Sequence, residues 1–280
     1  MSPETAERRD IAVAAARAAG DLLVEYREQG VEVERKGRID LVSEADRAAE
    51  ALVREHLTSA LPNDMIVGEE GEVLAEDVVA GHPRWYVDPL DGTTNYLHGA
   101  SRWAVSLGWA NPSGAIEVGV VYAPALGELF YAERGSGTWL EMVGDGAASN
   151  ATRLHVTDPA RLDEAVIASG FPYDLEHGPT NLPEWASVTR RARSVRCLGA
   201  AALDLCDVAR GNVDGFWEQR LGRWDTAAGI LIAAEAGAVV TDLQGRAVVC
   251  AAPDVVAAGA SLHGHLLVAL REASGEAGDP

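Results

Sequence analysis

Trp85-Tyr86-Val87-Asp88-Pro89-Leu90-Asp91-Gly92-Thr93-Thr94-Asn95 decides how this chain is read. The first three residues are large and apolar and predict a short strand. Pro89 has no N–H to donate and fixes its own φ, so it is expected to stop the strand ladder. Asp88 and Asp91 are then expected together at the strand's mouth. Carboxylates spaced this way across a proline suit a hard cation such as Mg²⁺, which takes oxygen ligands in near-octahedral geometry. Gly92-Thr93-Thr94 is expected to open a helix whose free N–H groups can hold a phosphate. The same residues would also serve a plain turn and a capped helix, because Asp-Pro and Asp-Gly are ordinary turn dipeptides. Local sequence leaves both readings open.

The whole string resembles the signature of the inositol monophosphatase family of Mg²⁺-dependent phosphatases, which reads hydrophobic-Asp-Pro-hydrophobic-Asp-Gly-Thr-Thr-Asn-aromatic. A second family-like match is Trp224-Asp225-Thr226-Ala227-Ala228-Gly229, followed by Glu235-Ala236-Gly237-Ala238, where Ala238 replaces the family's last Gly. Read locally, that stretch is a helix capped by Asp225 with an alanine-rich face on a sheet. Lys36 to Asp46 resembles the family's Lys-Gly-Xaa-Xaa-Asp-Leu-Val-Thr-Xaa-Xaa-Asp stretch, with Ser43 in place of Thr. Locally, Asp46 is only a first-turn carboxylate favoured by the helix dipole. Gly68-Glu69-Glu70 matches a family Gly-Glu-Glu, although adjacent carboxylates after a strand also suit a solvated loop. The resemblance runs from about residue 30 to 250 and is weakest between 142 and 194.

The resemblance implies an alternating α-β-α-β-α sandwich of the sugar-phosphatase type, with an antiparallel-sheet lobe and an α/β lobe. Residues 1–280 would form a single phosphatase domain, with lobes of about 1–148 and 149–280. It implies one Mg²⁺ held by Glu69, Asp88 and the Leu90 carbonyl, and a second held by Asp88, Asp91 and Asp225. A weaker third ion would use Glu69, and Mn²⁺ would be a possible substitute. Gly92 and Thr93 N–H groups would hold phosphate. Thr93, oriented by Asp46, and Glu69 would position and deprotonate the attacking water. Gly199, Ala200 and Ala201 match the Gly-Thr-Ala segment lining the family's substrate pocket, with Ala200 in place of Thr. Glu218 matches a Glu that hydrogen-bonds a substrate hydroxyl. The implied reaction is hydrolysis of inositol 1-monophosphate, with histidinol phosphate or another sugar or nucleotide phosphate of the same superfamily as the alternative substrate and a non-catalytic metal-binding scaffold as the alternative class. Lithium sensitivity and a homodimer are implied in the same way. His98 carries no assigned role, and Arg220 and Arg223 suit either a second anionic group on the substrate or plain surface charge, with surface charge the expectation.

Composition narrows the partners. The chain has 280 residues, 48% of them in the hydrophobic class, enough for a large core. Lys+Arg number 23 against Asp+Glu 43, for a formal charge of -20. Such an acidic surface repels nucleic acid and anionic membranes. It repels a phosphorylated substrate too, unless bound cations invert the local field. Cys197, Cys206 and Cys250 form neither a metal pattern nor a disulfide framework and are expected as buried free thiols. With no apolar leader at the N-terminus, the expected location is cytoplasmic.

Periodicity places the remaining elements. Residues 4–29 predict an amphipathic helix with Ile11, Ala15, Ala18, Leu22 and Tyr26 on its apolar stripe. Strands are expected at 31–34, 65–67, 104–109, 116–122, 128–133 and 138–141, the last four as an antiparallel block. Ser43 is expected to cap a helix, 72–84 to be a surface excursion and 143–152 to join the lobes. Further strands are expected at 165–169, 195–198, 214–217, 238–241 and 247–250, with helices at 180–193, 199–209, 230–237 and 262–272.

Overall fold

The computed structural model describes residues 3–30, 33–35, 41–71, 81–144, 151–172 and 180–273; side chains within 33–35 and 41–43 lie outside the description. Lys36 to Asp40, the Ser43 cap, most of the 72–84 excursion and residues 145–150 of the junction therefore lie outside the described residues.

The chain opens with α1 (Pro3–Gln29), followed by β1 (Val33–Arg35), antiparallel to β2 (Leu41–Ser43), and then α2 (Glu44–Ala60). A seven-stranded sheet comes next, formed in sequential order by β3 (Met65–Gly68), β4 (Arg84–Asp91), β5 (Ala104–Ala110), β6 (Ile116–Ala123), β7 (Glu128–Glu133), β8 (Gly137–Met142) and β9 (Thr152–Arg153). Only β3 and β4 pair in parallel; the rest is the expected antiparallel meander. The short α3 (Thr93–Leu97) follows β4.

The second sheet contains β10 (Val166–Ser169), β11 (Ser194–Arg196), β12 (Gly215–Glu218), β13 (Val239–Thr241) and β14 (Val255–Ala258) in the order β11-β10-β12-β14-β13. The associated helices are α4 (Leu182–Arg191), α5 (Ala201–Arg210), α6 (Arg223–Glu235) and α7 (Ala260–Ala273).

Four layers of apolar packing order these elements. Ala15, Ala19 and Leu23 of α1, with Val53 and Leu57 of α2, pack on Trp85, Leu107 and Val120 of the first sheet. That sheet's other face, including Phe130 and Val121, packs on Ala202, Cys206, Ala228 and Leu231 of α5 and α6. Leu205 and Ile230 of the same two helices also pack on Phe216 and Val255 of the second sheet. Val188 of α4, with Leu262 and Leu266 of α7, covers its far face. The result is the α-β-α-β-α sandwich.

Some local expectations are corrected. The buried stripe of α1 is Ala12, Ala15, Ala16, Ala19 and Leu23, rotated from the predicted one toward the smaller side chains. Pro89 does not end its strand. β4 runs on to Asp91, and pairing with β5 jumps from Asp88↔Ser106 to Asp91↔Ala104. The extra residue is a β-bulge, which accommodates the missing N–H. Residues 247–250 form no strand: Ala247 makes an isolated bridge to Thr241, while the Ile116 N–H reaches across to the Val249 carbonyl. β14, which pairs with both β12 and β13, was not expected. Only Cys206 is buried; Cys197 and Cys250 are exposed, and all three are free. No helix among the described residues is long and apolar enough to cross a membrane.

Candidate active site

The bulge in β4 sets the site. Parallel pairing aligns Gly68 with Val87, and the Glu69 N–H donates to the Val87 carbonyl at 3.1 Å. Glu69 therefore stands beside Asp88 without any long-range coincidence. Asp88 Oδ1 accepts the Leu90 N–H at 2.9 Å, folding its carboxylate back over Pro89. Gly92 then adopts left-handed backbone (φ 86, ψ 39) and turns the chain into α3. A Cβ there would lie 3.0 Å from the Arg102 carbonyl and 3.1 Å from the Gly199 carbonyl. The tight turn and the close approach both require glycine.

Thr93 and Asp46 come together as the resemblance implies. Thr93 Oγ1 lies 3.1 Å from Asp46 Oδ1 and 3.0 Å from the Leu90 carbonyl, and both residues are buried. The hydroxyl donates toward these two acceptors, so its lone pairs remain available.

The N-terminus of α5 is joined to the site at Asp91. Its Oδ1 and Oδ2 accept the Ala201 and Ala202 N–H groups, at 3.2 and 2.8 Å, so Asp91 satisfies the open N-terminus of α5 from another part of the chain. Asn95 adds a second link, its Nδ2 donating to the Arg102 and Leu198 carbonyls at 2.8 Å each. Asp225 is brought in by α6. It is not the N-cap, as the sequence suggested, but the third residue of a helix that starts earlier, and its Oδ2 accepts the Gly222 N–H at 2.7 Å.

Glu69, Asp88, Leu90, Asp91, Gly92, Thr93, Gly199, Ala200, Ala201, Glu218 and Asp225 all line one cavity of about 370 Å³. Asp46 lies behind that wall, touching it through Thr93. Sequence reasoning missed several features of the site. Asn95 is one, and Phe171, Cys197 and Trp224 on the wall are others. Glu50 is also new: its buried carboxylate accepts the Glu70 N–H at 2.7 Å and pairs with Arg54 at 2.8 Å, bracing the turn that carries Glu69. The Glu50/Arg54 spacing of i,i+4 on a helix was the available signal.

The electrostatics are those of acids forced together. Burial, then the facing charges of Glu69, Asp91 and Asp225, push the Asp88 carboxyl well above the usual carboxylate range. Burial lifts Asp91 to about 6 against the pull of backbone N–H groups and Arg102. Burial and the charges of Asp204, Asp225 and Asp91 raise Glu218 strongly. Among the described residues, no three acidic, His or Cys side chains already stand at the spacing of a closed metal cage. Asp88, Asp91 and Asp225 are tied instead to backbone N–H groups, and a carboxylate oxygen so tied keeps a further lone pair for a cation. An all-oxygen set of mutually repelling carboxylates, Asp88 and Asp91 buried and Glu69 and Asp225 partly so, fits a hard divalent ion better than any softer one.

Known proteins resemble this arrangement along nearly the whole chain. The model of the inositol monophosphatase family matches residues 4–276. Inositol-1-monophosphatase of Rhizobium meliloti is 42% identical over 246 residues, covering 87% of this chain and 86% of that protein. The Nus factor SuhB of Escherichia coli K12 is 39% identical over 240 residues, 84% and 85% of the two chains. The crystal structure of the extragenic suppressor protein suhB from Bartonella henselae superposes with a TM-score of 0.82 at 40% identity, covering 94% of this chain and 98% of that one. Length, fold and sequence therefore agree that the chain belongs to the inositol monophosphatase family, a metal-dependent family, and is a phosphoric monoester hydrolase.

Proposed function

We propose that the cavity hydrolyses inositol 1-monophosphate to myo-inositol and phosphate with Mg²⁺ as the cofactor. One observation carries the reading: Glu69, Asp88 and Asp91 of the first lobe and Asp225 of the second line one cavity with the Gly92-Thr93 turn. In this reading Glu69, Asp88 and the Leu90 carbonyl hold one ion, Asp88, Asp91 and Asp225 a second, and Glu69 contributes to a weaker third. Mn²⁺ can substitute on the same oxygen donors. The bound ions supply Lewis-acid stabilisation of the phosphoryl oxygens and a water of lowered pKa.

The remaining roles belong to the chain. Gly92 and Thr93 N–H groups hold phosphoryl oxygens at the turn into α3. The Thr93 hydroxyl, fixed by Asp46, orients the attacking water, and Glu69 takes its proton. Glu218 receives a hydroxyl of the leaving alcohol, and Gly199, Ala200 and Ala201 form the floor beneath it. Water adds to phosphorus as the ester oxygen departs with its electron pair and collects a proton from solvent.

The whole chain acts as one phosphatase domain in this reading, as a homodimer in the cytoplasm. The test is phosphate release across a panel of inositol, sugar and nucleotide monophosphates and histidinol phosphate, with Mg²⁺ and with Li⁺ as inhibitor. Inositol 1-monophosphate is expected to give the highest kcat/KM. A preference for histidinol phosphate would overturn the substrate, and silence across the panel would overturn the catalytic reading. Asp91→Asn is expected to abolish turnover and weaken Mg²⁺ uptake in calorimetry.

A further inference from the structure

Arg220 follows Glu218 and Gln219 at the end of β12 and lines the cavity. It is the one cation among the described lining residues, facing a wall that carries Glu69, Asp88, Asp91, Glu218 and Asp225. Among the described residues it is also the one non-glycine residue with left-handed backbone, at φ 61. A bulky side chain there is strained and persists only where its surroundings fix it. They do so here: the Arg220 N–H donates to Asp254 Oδ1 at 3.1 Å, and the next N–H, of Leu221, donates to the Pro253 carbonyl at 2.9 Å. Glycine would occupy this turn without strain, so the chain carries an arginine here at a conformational cost, its backbone fixed and the residue exposed at the edge of the cavity it lines. Arg223 is exposed and is not part of the wall.

The placement says what that guanidinium meets. The Gly92-Thr93 turn belongs to the first lobe, and Arg220 to the second-lobe wall beside Glu218. The phosphatase reading places the leaving alcohol at Glu218, and residues 219–221 line the same cavity next to it in the chain. Among so many carboxylates, a planar guanidinium is the group that can recruit another anion, by paired N–H bonds to phosphate or carboxylate. We infer that Arg220 is a specificity-determining residue that recognises a second anionic group on the leaving-group side of the substrate. Phosphate monoesters carrying a second phosphate or a carboxylate are then substrates of the same cavity. The inference rests on the phosphatase reading above.

Matched pairs test it: glucose 1,6-bisphosphate against glucose 1-phosphate, and 3-phosphoglycerate against glycerol 3-phosphate. The readout is the ratio of kcat/KM within each pair, for wild type, Arg220→Gly and Arg220→Lys. The ratio is expected to fall about tenfold in Arg220→Gly, the size of one charge-assisted contact, and less in Arg220→Lys. Thermal shift by the same pairs reads the discrimination without turnover. Arg220→Gly is expected to keep or raise Tm, because strain is relieved. An unchanged ratio in both variants, or a wild type whose Tm responds equally to both members of each pair, would overturn the inference. A lower Tm with an unchanged ratio would make Arg220 a structural brace. A wild type that turns over neither member yet binds the doubly charged one more tightly would sink the phosphatase reading and leave this one standing.

Discussion

Gly108→Ala tests whether the site depends on how closely α6 seats against the first sheet. Gly108 on β5 and Gly119 on β6 are direct register partners, and both lie under α6. A Cβ at Gly108 would come within 2.6 Å of Ala227 Cβ, 2.9 Å of Ala228 N and 3.0 Å of Ala227 C. Two of those atoms are backbone, so no side-chain rotation relieves the contact. Restoring an ordinary separation of about 3.5 Å requires α6 to retreat by roughly 0.9 Å near its N-terminus. Asp225 lies two residues before Ala227 and moves with it. Overpacking of this kind costs about 1–3 kcal/mol. A displacement near 1 Å at a reacting centre can cost on the order of a hundredfold in rate. The expected outcome is a lower urea midpoint with unchanged m-value, a loss of about ten- to a hundredfold in kcat/KM, and weaker Mg²⁺ uptake in calorimetry. Adding Ala227→Gly removes the nearest atom and is expected to recover part of the loss. A Gly108→Ala enzyme with wild-type kcat/KM and wild-type Mg²⁺ affinity would refute the idea that α6 seating sets the position of Asp225.

Other consequences are as direct. Thr93→Val removes the hydroxyl that bridges toward Asp46 and the Leu90 carbonyl; kcat is expected to fall by about 10²–10⁴ while calorimetric Mg²⁺ affinity stays within a few-fold of wild type. Asn95→Ala strips donors from the Arg102 and Leu198 carbonyls and is expected to lower unfolding free energy by about 1–3 kcal/mol in urea titration. Without metal, Asp91 at about 6 and Asp204 at about 7 both lie above their ordinary 3.8, chiefly through burial. A raised carboxyl pKa favours the folded state at low pH, so this contribution is present below about 4 and lost as pH climbs through about 6 to 7. In the proposed reading Mg²⁺ would offset that loss at Asp91 by holding its carboxylate ionised. The rise in Tm on adding Mg²⁺ is therefore expected to be larger at pH 7.5 than at pH 5 in differential scanning fluorimetry, and an equal rise at both would count against it.

Part of the candidate site stood out in the sequence because it lies in one stretch that resembles a family signature, although local chemistry alone left a plain turn open. Asp88, Asp91, Gly92 and Thr93 fall within one short string, and that string has few conformations open to it once Pro89 and a left-handed glycine are included. Apolar runs separated by the turns at 111–114 and 124–127 likewise predicted the meander of the first sheet, which is buried on both faces. Distance in the chain hid the rest. Nothing near Asp91 announces that its carboxylate satisfies the first turn of α5, more than a hundred residues later. The strand at Val255–Ala258 is a short apolar run with no local alternation, and only its neighbours in the second sheet make it a strand. Arg220 read as surface charge because its left-handed backbone is imposed by Asp254 and Pro253 rather than by its own preferences. Sequence alone determined which oxygens are present and in what order. Only tertiary packing brought Asp225 into the same cavity as Asp88, because the helix that carries it comes close through glycines on two strands whose spacing no local pattern encodes.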